Sequence, residues 1–384
     1  MSTPVTDQDV DLVQLLTPSG ERVEHPEYSP RIAHLDSGAL RGLLRDMVLV
    51  RAFDTEATSL QRQGELGLWA QSLGQEAAQI GSVHAMRRSD FVFPSYREHG
   101  ASLVRGVEPA ELLSLFRGVD FGGWDTQRLR YGFYSIDVGS HPLHAVGYAM
   151  GAQLDKSDDV VLVYFGDGAT SQGAVSEALN FAAVFQAPVV FLCQNNQLAI
   201  SAPAEKQYAA PLHERARGFG LEGLRVDGND ALAVYAITRH AADRVRAGGG
   251  PVFIEAYTYR LGPHTTADDP TRYRSRDEVA YWEARDPMTR LRRRLEAIGA
   301  IDEPWLTKLE LDLDDFGRQV REAVHNLPQG SVLDQFDRVF AEATPELVAQ
   351  RGWLADYHDS FLPSASDGAT LGLPYGVATG GSAS

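Results

Sequence analysis

Two short polar clusters, each closing an apolar run, carry the chemistry this sequence offers. Gly166-Asp167-Gly168 directly follows VVLVYF at 160–165, and Asn195-Asn196 ends a second run that begins PVVFLC at 188–193. A carboxylate and an amide oxygen are hard ligands of the kind magnesium or calcium takes. Magnesium commonly completes its shell with phosphate oxygens and water. Gly166 and Gly168 let backbone approach a ligand with no side chain between. A helix predicted just after Gly168 turns free N–H groups to the same place, which favours an anion. The pattern reads as a diphosphate clamp bridged by Mg²⁺. GDG alone is weak, because an Asp capping an ordinary strand-to-helix turn looks the same. The Asn pair adds the weight, since adjacent Asn residues are poor strand formers.

Convergence of Asp167 and Asn196 requires two parallel strands that end on one sheet edge. A single right-handed crossover through residues 169–194 provides that. Runs at 160–165, 188–193, 224–227 and 251–259 read as strands, with helices predicted over 171–185 and 231–247, the latter capped by Asn229 or Asp230. Strands alternating with helices imply an α/β fold with a doubly wound, mainly parallel sheet. Helical extensions flank it. Leu40, Leu43, Leu44, Met47 and Val48 recur at helical spacing after Asp36-Ser37, to about residue 63. Further helices are expected over 75–86, 108–117, 144–153, 277–298, 303–325 and 332–347, with a short strand or turn at 89–98. Residues 1–35 read as an extended arm broken by four prolines, 36–350 as one domain, and 351–384 as a tail with a frayed end. The segment 119–143 lacks periodicity and is rich in Gly and aromatics, which marks it as a functional loop.

Composition narrows the function classes. The chain has 384 residues, 43% hydrophobic, with 35 basic and 52 acidic side chains and a formal charge of -17. Such a surface repels phosphate backbones, which argues against nucleic acid and anionic membranes as partners. Cys193 is the single cysteine, so neither an internal disulfide nor a thiolate zinc cluster is available. The polar, acidic N-terminus is unlike a secretory signal, no apolar stretch approaches a membrane span, and a cytoplasmic location is expected.

GDG followed at this interval by NN resembles the thiamine-diphosphate motif. From about residue 36 to 345 the chain is similar to the α subunit of the decarboxylating component of 2-oxo acid dehydrogenase complexes, above all the bacterial branched-chain type. GQEA at 74–77, PSYREHG at 94–100, SIDVGSHPLHAVG at 135–147 and YRLGPHTTADDPTRYR at 259–274 carry the likeness. The resemblance implies Mg²⁺ on Asp167, Asn196 and the Leu198 carbonyl. It implies diphosphate against Gly166, Gly168 and Ala169, phosphate on Tyr96 and Arg97, and the aminopyrimidine beside Ile136 and Val138. His264 becomes the active-site histidine, a natural proton carrier near neutral pH. Thr265 stands where related mitochondrial subunits carry a phosphorylated serine. His141 is expected to face the site and His144 to pack at a helix start. The run Arg290, Arg292, Arg293, Arg294 reads as a solvated helix face rather than a docking patch.

The same resemblance implies that one domain is missing. The glutamate that activates the cofactor belongs to a pyrimidine-binding domain for which this chain has no room. A β subunit is therefore expected to supply it, in an assembly of two α and two β chains. The implied reaction is oxidative decarboxylation of a 2-oxo acid, with acyl transfer to the lipoyl group of an acyltransferase component. Pyruvate is the alternative to branched-chain substrates. From another class, an NAD-binding Rossmann dehydrogenase needs G-x-G-x-x-G/A and an acid about 20 residues on; GDGATS offers Ser171 at the last position. A non-catalytic scaffold would leave the Asn pair and the loop histidine unexplained.

Overall fold

The computed structural model describes residues 12–120, 123–328 and 330–361. Seven strands form among the described residues: β1 Phe91–Phe93, β2 Val161–Gly166, β3 Val189–Asn195, β4 Leu198–Ala199, β5 Ala202–Pro203, β6 Glu222–Asp227 and β7 Val252–Tyr257. The main sheet has the order β1-β2-β3-β7-β6, and every pairing in it is parallel. β4 and β5 make a separate antiparallel pair. β2 and β3 are direct neighbours with Gly166 opposite Gln194, so the residues that follow them emerge side by side.

Why these runs become a two-faced sheet is visible in their alternation. Leu162 and Tyr164 of β2, with Val190 and Leu192 of β3, join one core cluster; Val161, Val163, Phe165, Val189, Phe191 and Cys193 join another. A strand covered on both sides shows no polar alternation, which is why the sequence reads as continuous apolar runs. Each such side chain contributes about 1.5–3 kcal/mol by leaving water.

Thirteen α-helices are described: α1 Ser37–Arg62, α2 Glu76–Ala85, α3 His99–Arg105, α4 Pro109–Arg117, α5 Thr126–Leu129, α6 His141–Leu154, α7 Gly173–Phe185, α8 Leu212–Arg217, α9 Ala231–Arg246, α10 Arg276–Glu283, α11 Pro287–Ala297, α12 Glu303–His325 and α13 Pro345–Asp359. Residues of α2 and α9 fill the first cluster, and residues of α6 and α7 the second, so the sheet is doubly wound. α1 starts where Asp36 Oδ1 accepts from Ala39 N at 2.8 Å, and it buries Leu43, Met47, Val50, Phe53, Ala57 and Leu60 along one face. Among the described residues no helix is long and apolar enough to cross a membrane.

Asp230 does more than cap α9. Its Oδ1 accepts from Leu232 N and Ala233 N at 3.0 and 3.1 Å, and its Oδ2 accepts from Leu15 N and Leu16 N at 2.7 and 2.6 Å. The N-terminal arm is thereby pinned against the sheet, where Val13 also bridges Val226 of β6. Asp230→Ala removes a cap worth about 1 kcal/mol. It also strands two buried N–H groups at about 1–3 kcal/mol each. The expected loss is about 3 kcal/mol or more, read as a lower urea midpoint at pH 7; an unchanged midpoint would contradict this role.

Several boundaries differ from the sequence reading. The stretch 277–298 is two helices, because Asp286 caps a new start at Pro287 by accepting from Thr289 N at 2.8 Å. The last helix is not over 332–347. Residues 334–338 form a 3-10 turn, and α13 begins at Pro345 behind Thr344, whose Oγ1 accepts from Leu347 N. Residues 351–359 are consequently helical rather than tail, while the end of the expected tail, from 362 on, lies outside the described residues. Compact packing divides the chain between Leu327 and Pro328. The second unit contains that turn and α13, with Trp353 and Tyr357 stacked 5.5 Å apart on the helix.

Candidate active site

Asp167 is the first residue beyond β2, and Asn196 the first beyond β3. The sheet edge brings both into one cavity of about 290 Å³, together with Tyr96, Arg97, Val138, Gly166, Gly168, Ala169, Leu198 and His264. Ile136 alone among the sequence-predicted positions is not in its wall; it is 62% exposed. The helix expected to aim directly at this point is set back. A 3-10 turn, Asp167–Ser171, comes first, with Thr170 Oγ1 donating to Asp167 O at 2.7 Å, and α7 begins only at Gly173.

Burial dominates the electrostatics of Asp167. The side chain is 1% exposed, and burial pushes its pKa up to about 6 against hydrogen bonds that pull it down. Its Oδ2 accepts from Gln207 Nε2 at 3.1 Å, whereas Oδ1 is buried with no partner. Asn196 donates from Nδ2 to Gln75 Oε1 at 3.1 Å, and its Oδ1 accepts from Leu198 N at 3.2 Å. The Leu198 carbonyl accepts from Arg260 Nη1 at 3.0 Å, which leaves it a second lone pair. Gln197 and Ile200 hold φ of 68 and 56° in the loop after Asn196. Left-handed backbone at non-glycine residues is strain of the kind that collects at functional sites. Gly168 lies so close to this loop that a Cβ on it would meet Ala199 Cβ at 2.8 Å.

Across the cavity, Arg97 is 5% exposed and joined to the histidine loop. It donates to Gln71 O, to His264 O at 2.9 Å and to His264 Nδ1 at 3.3 Å, with the Tyr96 ring beside both residues. The loop is laid along residues 69–73. Thr266 N donates to Trp69 O at 2.9 Å, and Leu261 N to Leu73 O at 3.0 Å. Asp54 of α1 fixes that rail by accepting from Trp69 Nε1, Ser72 N and Ser72 Oγ at 2.8–3.0 Å. Gly74, at φ +94°, passes so near the loop's start that a Cβ would meet Tyr259 O at 2.3 Å.

His264 is held neutral at pH 7. Burial, then the Arg97 and Arg260 guanidinium groups, lower its pKa from 6.5 to about 4. An anion added to the cavity reverses the arginines' effect, so the pKa must rise. Pyrophosphate binding at pH 5 is therefore expected to take up a proton, up to about one per site. Calorimetry in two buffers of different ionisation enthalpy measures it. The uptake should vanish in His264→Gln, and equal uptake in both proteins would contradict the assignment.

Sequence reasoning missed three wall residues. Arg260 is 1% exposed, donates to Leu198 O and Ile200 O, and has a buried Nε without a partner. Gln75 has a buried, unpartnered Nε2. Glu98 is buried, accepting from Ser95 N at 2.6 Å and from Gln194 Nε2 at 2.6 Å. All three lie inside the quoted blocks, which was the available signal. His141 does line the cavity, donating from Nε2 to Tyr164 O at 2.6 Å, and burial lowers its pKa to about 4. His144 is exposed rather than packed, because α6 starts three residues earlier and carries it on the outer face. Nor is Arg290 on a solvated face: it is 1% exposed and paired with Asp227 at 2.7 Å, while Arg292 stays on the surface with Glu296.

The residues fit a cation-bound diphosphate. Four buried side-chain polar atoms without partners, on Gln75, His141, Asp167 and Arg260, belong to the wall of this one cavity. They include an anionic oxygen for a metal and a cationic nitrogen for a phosphate. Among the described residues no three His, Cys, Asp or Glu side chains cluster as a metal site. One carboxylate with neutral oxygens is a set that would suit magnesium shared with phosphates.

Comparison with known proteins identifies the family. The family described as "Dehydrogenase E1 component" matches residues 44–330. The 3-methyl-2-oxobutanoate dehydrogenase subunit alpha of Mycobacterium tuberculosis (strain ATCC 25618 / H37Rv) is 47% identical over 348 residues, covering 89% of this chain and 93% of that protein. The pyruvate dehydrogenase E1 component subunit alpha of Staphylococcus aureus (strain N315) is 40% identical over 300 residues, covering 78% and 80%. A buried carboxylate and Asn at one sheet edge, and a family match across the sheet and its flanking helices, lead to one conclusion: this chain belongs to the dehydrogenase E1 component family.

Proposed function

We propose that this chain is the α subunit of a branched-chain 2-oxo acid dehydrogenase acting on 3-methyl-2-oxobutanoate with thiamine diphosphate and Mg²⁺. The observation that carries the reading is the unpartnered Oδ1 of Asp167, buried beside Asn196 in the same cavity as Arg97, Arg260 and His264. The 47% identity to the mycobacterial subunit supports the substrate class. Pocket preference for an extra methylene is worth only about 1–3 kcal/mol, so pyruvate is the second substrate to assay; the 40% identical staphylococcal relative motivates it. Family membership sets aside the nucleotide-binding alternative.

The cofactor supplies the electron sink that makes loss of carbon dioxide possible. Everything else falls to the protein. Asp167, Asn196 and the Leu198 carbonyl would hold the cation, and the Gly166–Ala169 turn would receive the diphosphate. Arg97 and Arg260 bring positive charge to the phosphates in a buried, low-dielectric place where it counts most. Tyr96 flanks Arg97 and His264. His264, neutral before ligand arrives, accepts or returns a proton in the cavity it lines.

The mouth also supports a partner. Val138 and Ile200 line the cavity yet are 42% and 58% exposed, and Ile136 beside them is 62% exposed. Apolar side chains left open at a site's rim fit closure by a β subunit that supplies the missing glutamate, in an assembly of two α and two β chains. The lipoyl domain of an acyltransferase then takes the acyl group. The reading includes a cytoplasmic location. Co-expression with the β subunit tests it through carbon dioxide release from 3-methyl-2-oxobutanoate and pyruvate. Activity should require both chains, thiamine diphosphate and Mg²⁺. Release by this chain alone, or preference for pyruvate, would contradict the corresponding part.

A further inference from the structure

We infer that Gln207 and Tyr208 are positioning residues that brace the two halves of the cation clamp, Asp167 and Asn195-Asn196, from one strap of chain. The inference rests on the proposed metal site. Gln207 Nε2 donates to Asp167 Oδ2 at 3.1 Å, and the next residue donates from Tyr208 Oη to Asn195 Oδ1 at 3.0 Å. Consecutive side chains thus reach the ends of two different strands.

The strap is itself anchored. It leaves Asn196, turns through β4 and β5, and returns: Ala204 N donates to Gln197 O at 3.0 Å, and Gln207 N and Tyr208 N both donate to Ala204 O, at 2.9 and 3.2 Å. Gln207 Nε2 also donates to Ala202 O at 3.2 Å, so its amide cannot swing away from Asp167 without losing a second bond. On the other side, Asn195 Nδ2 donates to Glu255 Oε1 at 2.7 Å, and Glu255 Oε2 accepts from His213 N at 3.1 Å. The brace therefore connects the clamp to β7 and to the start of α8.

Its consequence is chemical. The outer torsion of an Asp side chain is broad and roughly two-fold, so a free carboxylate presents either oxygen. A donor on Oδ2 makes the oxygens inequivalent and leaves Oδ1, buried and unpartnered on a residue of the cavity wall, as the one available to a cation. A neutral amide suits this task where Lys or Arg would not, since a cation there would compete with the metal for the charge. Partners of metal-ligating carboxylates typically change metal affinity 10–100-fold when removed.

The test is Mn²⁺ binding, followed by electron paramagnetic resonance of free Mn²⁺, to the full-length chain co-purified with its β subunit in excess thiamine diphosphate. Gln207→Met keeps the length of the side chain and loses the donor; it should weaken Mn²⁺ binding about tenfold or more. Tyr208→Phe removes one hydroxyl that bonds the neighbour of Asn196 rather than a ligand itself, and should weaken binding less, about threefold, below the range for direct partners. It carries the test alone if Gln207→Met does not fold. Wild-type affinity in both folded variants, even with a lower melting temperature, would overturn the positioning role while leaving the site intact. A wild-type assembly that binds no Mn²⁺ with thiamine diphosphate present would overturn the site and this inference together.

Discussion

Asp167→Asn is expected to abolish decarboxylation while making the cofactor-free protein more stable. The activity loss follows from removing the single carboxylate of the proposed donor set. A fall of about a thousandfold, or about 4 kcal/mol, is the expected scale. The stability gain follows from the pKa. A carboxylate raised from 3.8 to about 6 on folding favours its protonated form in the native state. Stability is therefore lost as pH rises from about 4 to about 6, and the deficit persists at pH 7.5. Asn carries no such cost, and about 1–3 kcal/mol should return. Urea denaturation of the cofactor-free chain at pH 5 and 7.5 measures this: the variant's advantage should be larger at pH 7.5. A variant destabilised at pH 7.5 would mean that Asp167 is an ordinary structural cap.

The second large effect concerns Arg97. Arg97→Lys keeps the charge but not the fork that spans Gln71 O and His264 O. Thiamine diphosphate affinity is expected to fall about a hundredfold, or about 2.7 kcal/mol. The loop from Leu261 to Arg274, having lost one of its ties, should be cut faster by trypsin at Arg272 and Arg274. Calorimetric titration and a proteolysis time course check the two halves separately. Weaker cofactor binding with an unchanged loop would show that Arg97 serves the phosphate alone. Unchanged affinity would remove it from the site.

The parts of the site that were legible in the sequence are those fixed by chain topology. A buried parallel strand announces itself as an unbroken apolar run, and the residue after its carboxyl end must lie at one edge of the sheet. Asp167 and Asn196 needed no more than that. Residues brought in by tertiary folding gave no such sign. Gln207 lies on a strap of two-residue strands and a 3-10 turn with no hydrophobic period to detect. Ile136 shows the converse: a motif fixed its position along the chain, but not whether it faced the cavity or solvent. Near the C-terminus, Thr344-Pro345 was a legible start signal, yet the poorly patterned residues before it drew the helix forward. His144 depended on where α6 begins, and a shift of three residues moves a side chain most of a turn.

Asp167 and Asn196 are proposed to hold jointly the cation through which the coenzyme's diphosphate is retained. Titration of thiamine diphosphate into the co-purified α and β chains, with and without Mg²⁺, reads this directly. With Mg²⁺ the wild-type assembly should bind at least about a hundredfold more tightly than without it, a difference of about 2.7 kcal/mol, and Asn196→Ala should erase most of that difference. Equal affinity with and without the metal, or a metal dependence that survives intact in Asn196→Ala, would contradict it.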